Sequence, residues 1–554
     1  MERRGYVQGQ EESPPARCGR LRRRHSPLPA STARPCGVAS ADRPCQPLGR
    51  EPRRSQERDH TNSAPADRGA QRAQYRDLRV RQARVATLTA RPDDNPPPTT
   101  KMPDRPSLRL LNRSKVGRRL ARFARSSFGR GLAILTSATL LQNLIAFGSA
   151  PIVSRLFAPA DFGIAGLIYA VGVVPVLLAS GQYYSAIGIA RTASEAVNVV
   201  FLSLCLVVAG TFVSLPVAFY LQANPQLLPD SLVGIAPFLW MVPAFILATN
   251  LILISRLWEI RHASYRPQVV NRLVESGGIA LGQIVLGLFG AGPLGLIVGR
   301  WLGTAAAGFH GLKLMHKRIG RRGLRAISLR RMRMLSRRHW RFPAYGLPAA
   351  VLNGLTPQLT PILLGLLYTM DAVGSFWFAS RLLDRPAIIW GQNFGRVFYQ
   401  HAADRRKEGQ PIGGLFRKAT IFLAASAIVP FGVVIVFGPS LFGLIFGTGW
   451  ETAGQFARWI AVANVTFLIG FPARMATTLF NLQRTYAIAE AARASASAGA
   501  LVLVAMGGGS ALVAIAAAAC AQSVIMLTLT TIVGIRLRQH DQQIGAPDRI
   551  ASVT

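Results

Sequence analysis

Residues 313–341 read KLMHKRIGRRGLRAISLRRMRMLSRRHWR, a segment with twelve Lys and Arg and no acidic residue. Long apolar runs lie on both sides of it. About 20 mostly apolar residues carry a helix across ~30 Å of hydrocarbon. Runs of that length fall near 131–152, 162–182, 196–221, 232–255, 273–290 and 293–314 before the basic segment. After it they fall near 344–367, 372–392, 416–437, 453–473, 486–506 and 511–534. The basic segment therefore divides twelve spans into two sets of six.

Working outward, the remaining connections alternate in charge. The even-numbered gaps, counting the basic segment, hold twenty-five Lys and Arg, among them Arg191, Arg261, Arg266, Arg405, Lys418 and Arg484; the odd-numbered gaps hold only Arg155. The positive-inside rule then places the even connections and both termini in the cytoplasm. The apolar runs are continuous rather than alternating, which disfavours a β-barrel. Together with 554 residues and a mean hydropathy of +0.27, these features predict an all-α polytopic protein of a bacterial cytoplasmic (inner) membrane.

The net charge of +39 is unevenly spread. Residues 1–130 carry 30 basic and 12 acidic side chains in a Pro-, Ser- and Arg-rich stretch without apolar periodicity, a composition that predicts disorder. Clustered Arg attracts phosphate, but the first hundred residues hold twenty Arg and no Lys. That skew is what GC-rich DNA upstream of a start encodes, so Met102 stands as an alternative initiator and no nucleic-acid partner is expected. If translated, the stretch from Arg109 to Arg130 reads as a juxtamembrane basic helix facing anionic lipid. Cys18, Cys36 and Cys45 lie in this extension and Cys205 and Cys520 in spans; none has metal-ligand or disulfide spacing. No metal site and no cofactor are expected.

The domain organisation expected from this pattern is an extension over 1–130, a six-helix lobe over 131–315, a basic linker over 316–343, a second lobe over 344–536 and a cytoplasmic tail over 537–554. The halves keep weak similarity at an offset of 210 residues: Pro151 with Pro361, Asp161 with Asp371, Gly181-Gln182 with Gly391-Gln392. Six spans separate the matches, so the lobes share an orientation and are expected to relate by a pseudo-twofold axis along the membrane normal. Transporters built from such parallel repeats place the substrate between the repeats.

Leaving the first span, the chain reads Ser-Arg-Leu-Phe-Ala-Pro-Ala-Asp-Phe-Gly (Ser154 to Gly163), followed by Gly-Gln-Tyr-Tyr-Ser-Ala-Ile (Gly181 to Ile187). Further on come Phe342-Pro343, Ala379 to Pro386, Arg396-Val397-Phe398 and Phe446-Gly447-x-x-Trp450-x-x-Ala453-Gly454. This pattern resembles that of polysaccharide-biosynthesis flippases in the multidrug/oligosaccharidyl-lipid/polysaccharide exporter superfamily, over most of residues 130–536. The resemblance implies a MATE-like, two-lobed, non-enzymatic fold. It also implies movement of undecaprenyl-diphosphate-linked oligosaccharide across the membrane for O-antigen, capsule or exopolysaccharide assembly, beside membrane lipids and with a polysaccharide polymerase as a candidate partner.

A lipid-linked sugar diphosphate needs cations inside the membrane, so basic residues within spans are the informative ones. Arg381, Asp384 and Arg385 fall at i, i+3 and i+4 on the eighth span, sharing one helix face, and Pro386 should kink that helix. Two arginines and one aspartate leave that face cationic, although Arg381 and Asp384 could simply neutralise one another. Arg300 stands beside Gly295, Gly299 and Gly303, whose spacing favours close helix packing. It reads as a second cavity cation or as a side chain snorkelling to the outer interface. Arg155 belongs to the signature and reads as a headgroup or gating residue. Asn143, Glu275, Gln283 and Asn464 are expected mainly as helix–helix partners, and Asp161 and Asp371 as helix caps.

Competing classes fit less well. A glycosyltransferase or polymerase needs room for catalysis outside the membrane, and the outer gaps are short. An ATP-driven exporter needs a G-x-x-x-x-G-K-[ST] loop, which does not occur. A drug or cation antiporter of the same superfamily would need an acid in the first lobe, where Glu275 is the one candidate within a span.

Overall fold

The computed structural model describes residues 127–262 and 264–544. The expectations for the N-terminal extension and its cysteines, and for the last ten residues, fall outside them. There is no strand among the described residues. The first six spans form α1 (Ser127–Leu156), α2 (Pro159–Ser180), α3 (Ala193–Ala223), α4 (Val242–Arg261, entered through a 3-10 stretch, Asp230–Met241), α5 (Tyr265–Leu288) and α6 (Gly292–Arg325). The basic linker folds as α7 (Leu329–Arg338), and span seven is α8 (Leu347–Leu355) plus α9 (Leu359–Leu367). Spans eight to twelve are α10 (Met370–Lys407), α11 (Gly413–Phe446), α12 (Glu451–Leu479), α13 (Gln483–Met506) and α14 (Ala511–Ile544).

Nine described segments are long and apolar enough to cross a membrane. The other three predicted spans are α1, α6 and α10. In α6 and α10 the apolar run is diluted by glycines and by Arg300, Arg381, Asp384 and Arg385. These are also helices that line the central cavity, so reduced apolarity and location coincide. Large apolar side chains such as Phe289, Leu444 and Phe309 stand exposed around the bundle, as expected of surfaces whose solvent is lipid.

The same helix pairs pack in both lobes. In the first, α1 lies on α5, α2 and α3 on α4, α4 on α6, and α5 on α6; in the second, α9 lies on α13, α10 and α11 on α12, α12 on α14, and α13 on α14. Span by span these are equivalent, so the duplication read weakly from four identities is explicit in the packing. The local matches are less faithful. Gly181 ends α2 in a left-handed turn (φ 52°), whereas Gly391 lies inside α10, where a Cβ would meet the Phe471 ring at 2.6 Å. Helix α10 continues through Pro386 and on to Lys407.

Helix boundaries follow local chemistry. Pro159 opens α2, and the Asp161 carboxylate accepts a hydrogen bond from the Ala158 amide at 2.9 Å, as expected of a cap. Asp371 holds the matching position in α10, but there the Thr369 hydroxyl does the capping, accepting from the Ala372 amide. Span seven breaks at Thr356–Gln358, where Pro357 cannot donate to the helix. The linker docks on the first lobe: Met332 and Leu335 are buried, Asn198 bridges the Ala326 carbonyl and the Ser328 amide, and Glu195 pairs with Arg338 at 3.3 Å and His339 at 3.4 Å.

Candidate functional site

The basic connections lie at one end of the bundle, here called the basic end; the α1–α2 connection lies at the other, the far end. The lobes meet at the far end along the first turns of α2 and α10. A Cβ at Gly163 would sit 2.1 Å from the Met370 carbonyl oxygen, and one at Gly374 would sit 1.8 Å from that of Pro159. Only glycine permits so close a crossing. Around it Phe162 packs edge-on against Phe378 (5.2 Å) and Trp450 (5.0 Å), and Phe378 also contacts Phe446 (4.9 Å) and Trp450 (4.3 Å). The Trp450 indole donates to the Ser154 carbonyl at 2.8 Å, and the Ser154 hydroxyl donates to the Phe446 carbonyl at 3.1 Å. The signature segment at 154–163 and the Phe446–Gly454 segment, nearly 300 residues apart, thus build one closure.

Beneath this closure lies a cavity lined by α1, α2, α5, α6 and α10. Phe162 and Phe378 roof it, and Arg300, Arg381 and Arg385 all line it. Glycine placement explains Arg300. Gly299 and Gly303 press against the α5 backbone at Gln283 and Ile279, with virtual Cβ contacts of 2.6 and 2.3 Å, and residue 300, one position on, is rotated out of that seam toward the space between lobes. Eight residues into α6, it lies about 12 Å below the far end; Arg381, eleven residues into α10, lies about 16 Å below it.

Among the described residues none of these three arginines has an acidic ion-pair partner. Two lie over aromatic rings instead: Arg300 over Tyr169 at 4.7 Å and Arg381 over Trp377 at 5.3 Å. The rings of Tyr169 and Trp377 stack on each other across the lobes at 5.9 Å. Cation–π contact partly compensates an arginine in a low-dielectric setting without neutralising it.

Asp384 does not neutralise Arg381. Its carboxylate accepts from the Asn464 amide on α12 at 2.9 Å and does not line the cavity. The shared face expected from the i, i+3, i+4 spacing therefore splits, with both arginines toward the cavity and the aspartate toward the second-lobe interior. Arg155 also lies outside the cavity: it is exposed at the far end, with its guanidinium 3.5 Å from the Ile445 carbonyl. Glu275 lines the cavity and pairs with Arg256 on α4.

Several lining residues were not singled out by the sequence. Gln142, Ser149 and Ser276 line the cavity, and Asn143 does so rather than bridging helices. The signal was present, since positions 142, 146, 149, 150 and 153 of α1 recur at helical spacing and form one small or polar stripe. Gln283 does both, lining the cavity and donating to the Leu296 carbonyl at 3.1 Å.

The sequence profile of a family described as polysaccharide biosynthesis protein matches residues 152–455, more than half of the chain. The chain belongs to this polysaccharide biosynthesis family. The matched span begins just before Ser154 and ends just after Gly454, so it contains both segments of the far-end closure and all three cavity arginines. No curated protein matches the sequence. Two solved structures show which fold the family member shares. One is an inward-facing multidrug resistance MATE family transporter of the MOP superfamily: 14% identity, 74% of this chain and 99% of that one, TM-score 0.58. The other is the lipid II flippase MurJ in an inward closed conformation: 11% identity, 74% and 90% coverage, TM-score 0.53. The family member is thus a multi-pass membrane protein of polysaccharide biosynthesis with a transporter and flippase fold.

Proposed function

We propose that the protein flips undecaprenyl-diphosphate-linked oligosaccharide across the bacterial cytoplasmic membrane by alternating access. The observation that carries this reading is the set of three cavity arginines without acidic partners. A diphosphate supplies the missing negative charge, and charge-assisted bonds to guanidinium are among the strongest available to a protein. Arg300 comes from the first lobe and Arg381 and Arg385 from the second, so one diphosphate can draw on both lobes. The geometry also suits the lipid tail. Helix α1 packs along α5 and, at its far end, against α11, and it borders the cavity together with α10; the polyprenyl chain would pass into lipid between these two helices.

The loop charges support the basic end as cytoplasmic. On that assignment the far-end closure seals the periplasmic side, and the structure corresponds to the state that loads substrate from within. Rocking about the α2–α10 crossing would then open the sealed end and release the glycan outside. A drug-antiporter reading draws on Glu275, the acid that lines the cavity, but that carboxylate is paired with Arg256 and stands among three arginines. Such a site repels a cationic drug. Replacing Arg381 and Arg385 together with alanine is expected to abolish surface polysaccharide in a strain whose own copy is deleted, at unchanged protein level. Normal polysaccharide with the double variant would overturn the assignment.

A further inference from the structure

The cavity has two chemically different walls. One carries Arg300, Arg381 and Arg385; the other, built by α1 and α5, carries Gln142, Asn143 and Glu275. The second wall has unused hydrogen-bonding capacity. Neither the Gln142 nor the Asn143 amide makes a hydrogen bond among the described residues. Glu275 commits one carboxylate oxygen to Arg256 and leaves the other without a donor. An amide presents two donors and an acceptor, and a carboxylate presents acceptors only. Polar groups left open around a half-buried space are matched by a ligand that supplies both donors and acceptors.

Charge then fixes what that ligand portion is. A diphosphate held by the arginines would be repelled by the Glu275 carboxylate, so the part of the substrate facing α1 and α5 cannot be its anionic part. Hydroxyl groups meet both demands, since they donate to the carboxylate and exchange hydrogen bonds with the amides. The division is lateral rather than by depth: Asn143, thirteen residues from the far end of α1, and Glu275, at the corresponding position of α5, lie about 20 Å down, below Arg300 and level with Arg385, which is fifteen residues into α10.

Resting on the reading of the cavity as a lipid-diphosphate site, we propose that Gln142, Asn143 and Glu275 form a sugar subsite that reads hydroxyl groups of the glycan nearest the diphosphate. The arginines grip what every polyprenyl-linked substrate shares. The α1–α5 wall distinguishes one glycan from another, because a hydroxyl missing or misplaced there leaves polar groups unpaired. The bound glycan crosses the membrane only after the far-end closure parts.

The test compares two ligands on purified protein in nanodiscs. They are bare undecaprenyl diphosphate and the lipid-linked oligosaccharide that accumulates in cells deleted for this gene. The wild type is expected to prefer the glycosylated lipid. Gln142→Leu with Asn143→Leu should lower that preference about tenfold while affinity for the bare lipid stays unchanged, and Asn143→Gln should restore part of it. Arg381→Ala should weaken both ligands equally. Retention of the wild-type preference by the double leucine variant overturns the subsite, as does equal loss of both ligands in a variant whose melting is unchanged. A wild type that binds neither lipid, or cells that accumulate no such oligosaccharide, overturns the reading of the cavity itself.

Discussion

Asp384 and its neighbours show how far residue spacing alone reaches. The i, i+3, i+4 pattern correctly places Arg381 and Arg385 together, but an α-helix turns about 100° per residue, so position 384 can face another helix. Asn464 on α12 captures it. A carboxylate in the membrane-spanning region is stable only with such donors. Asn464→Leu is therefore expected to cost about 1–3 kcal/mol, seen as a lower thermal midpoint of the purified protein, whereas Asp384→Asn should stay close to the wild type. An unchanged midpoint for Asn464→Leu would show that the pair contributes nothing. The aromatic platforms under Arg300 and Arg381 were not legible in the sequence. Tyr169 and Trp377 are ordinary span residues until two lobes bring their rings together, and only Phe342-Pro343, Arg155 and similar signature positions stand out in one dimension.

At the scale of elements, the helices themselves were largely visible, because apolar length and loop charge are local quantities. Boundaries were not. Helix α10 runs fifteen residues past its expected end at 392, since an amphipathic continuation beyond the membrane carries no apolar signal. The break in span seven comes from prolines that a hydropathy reading averages away. The seam between α2 and α10 is the most consequential element contact. Glycine at 163 and 374 lets two backbones touch, so Gly374→Ala forces its Cβ into the Pro159 carbonyl. Folding within each lobe does not depend on that contact, so the variant is expected to reach the membrane but fail to close its far end. A cysteine placed at Ser154 should then react with a membrane-impermeant thiol reagent from outside several-fold faster in the Gly374→Ala background. Equal reactivity in both backgrounds would mean that the crossing does not control closure.

Across the whole molecule, two properties act together: a lobe pair sealed at one end by aromatic residues, and an unneutralised cationic cavity below that seal. The lobes and their repeat were legible because the basic segment at 313–341 splits the chain and the packing of each half then follows the same plan. The seal was not, because it joins residues nearly 300 positions apart, and a motif does not state what it touches. Arg155 illustrates this: its place in the signature suggested a headgroup or gating residue, and the fold puts it outside the cavity, at the far end against the carbonyl of Ile445. On the proposed reading, losing one guanidinium contact to the diphosphate should remove about 1.5–3 kcal/mol, or roughly ten- to a hundredfold in affinity, and two such losses should leave the site ineffective. The most direct measurement follows the sidedness of lipid-linked oligosaccharide in proteoliposomes holding the purified protein. The wild type should move the glycan from one leaflet to the other, and Arg381→Ala/Arg385→Ala should not exceed empty vesicles. Equal transfer by the double variant, or none by the wild type, would contradict the account.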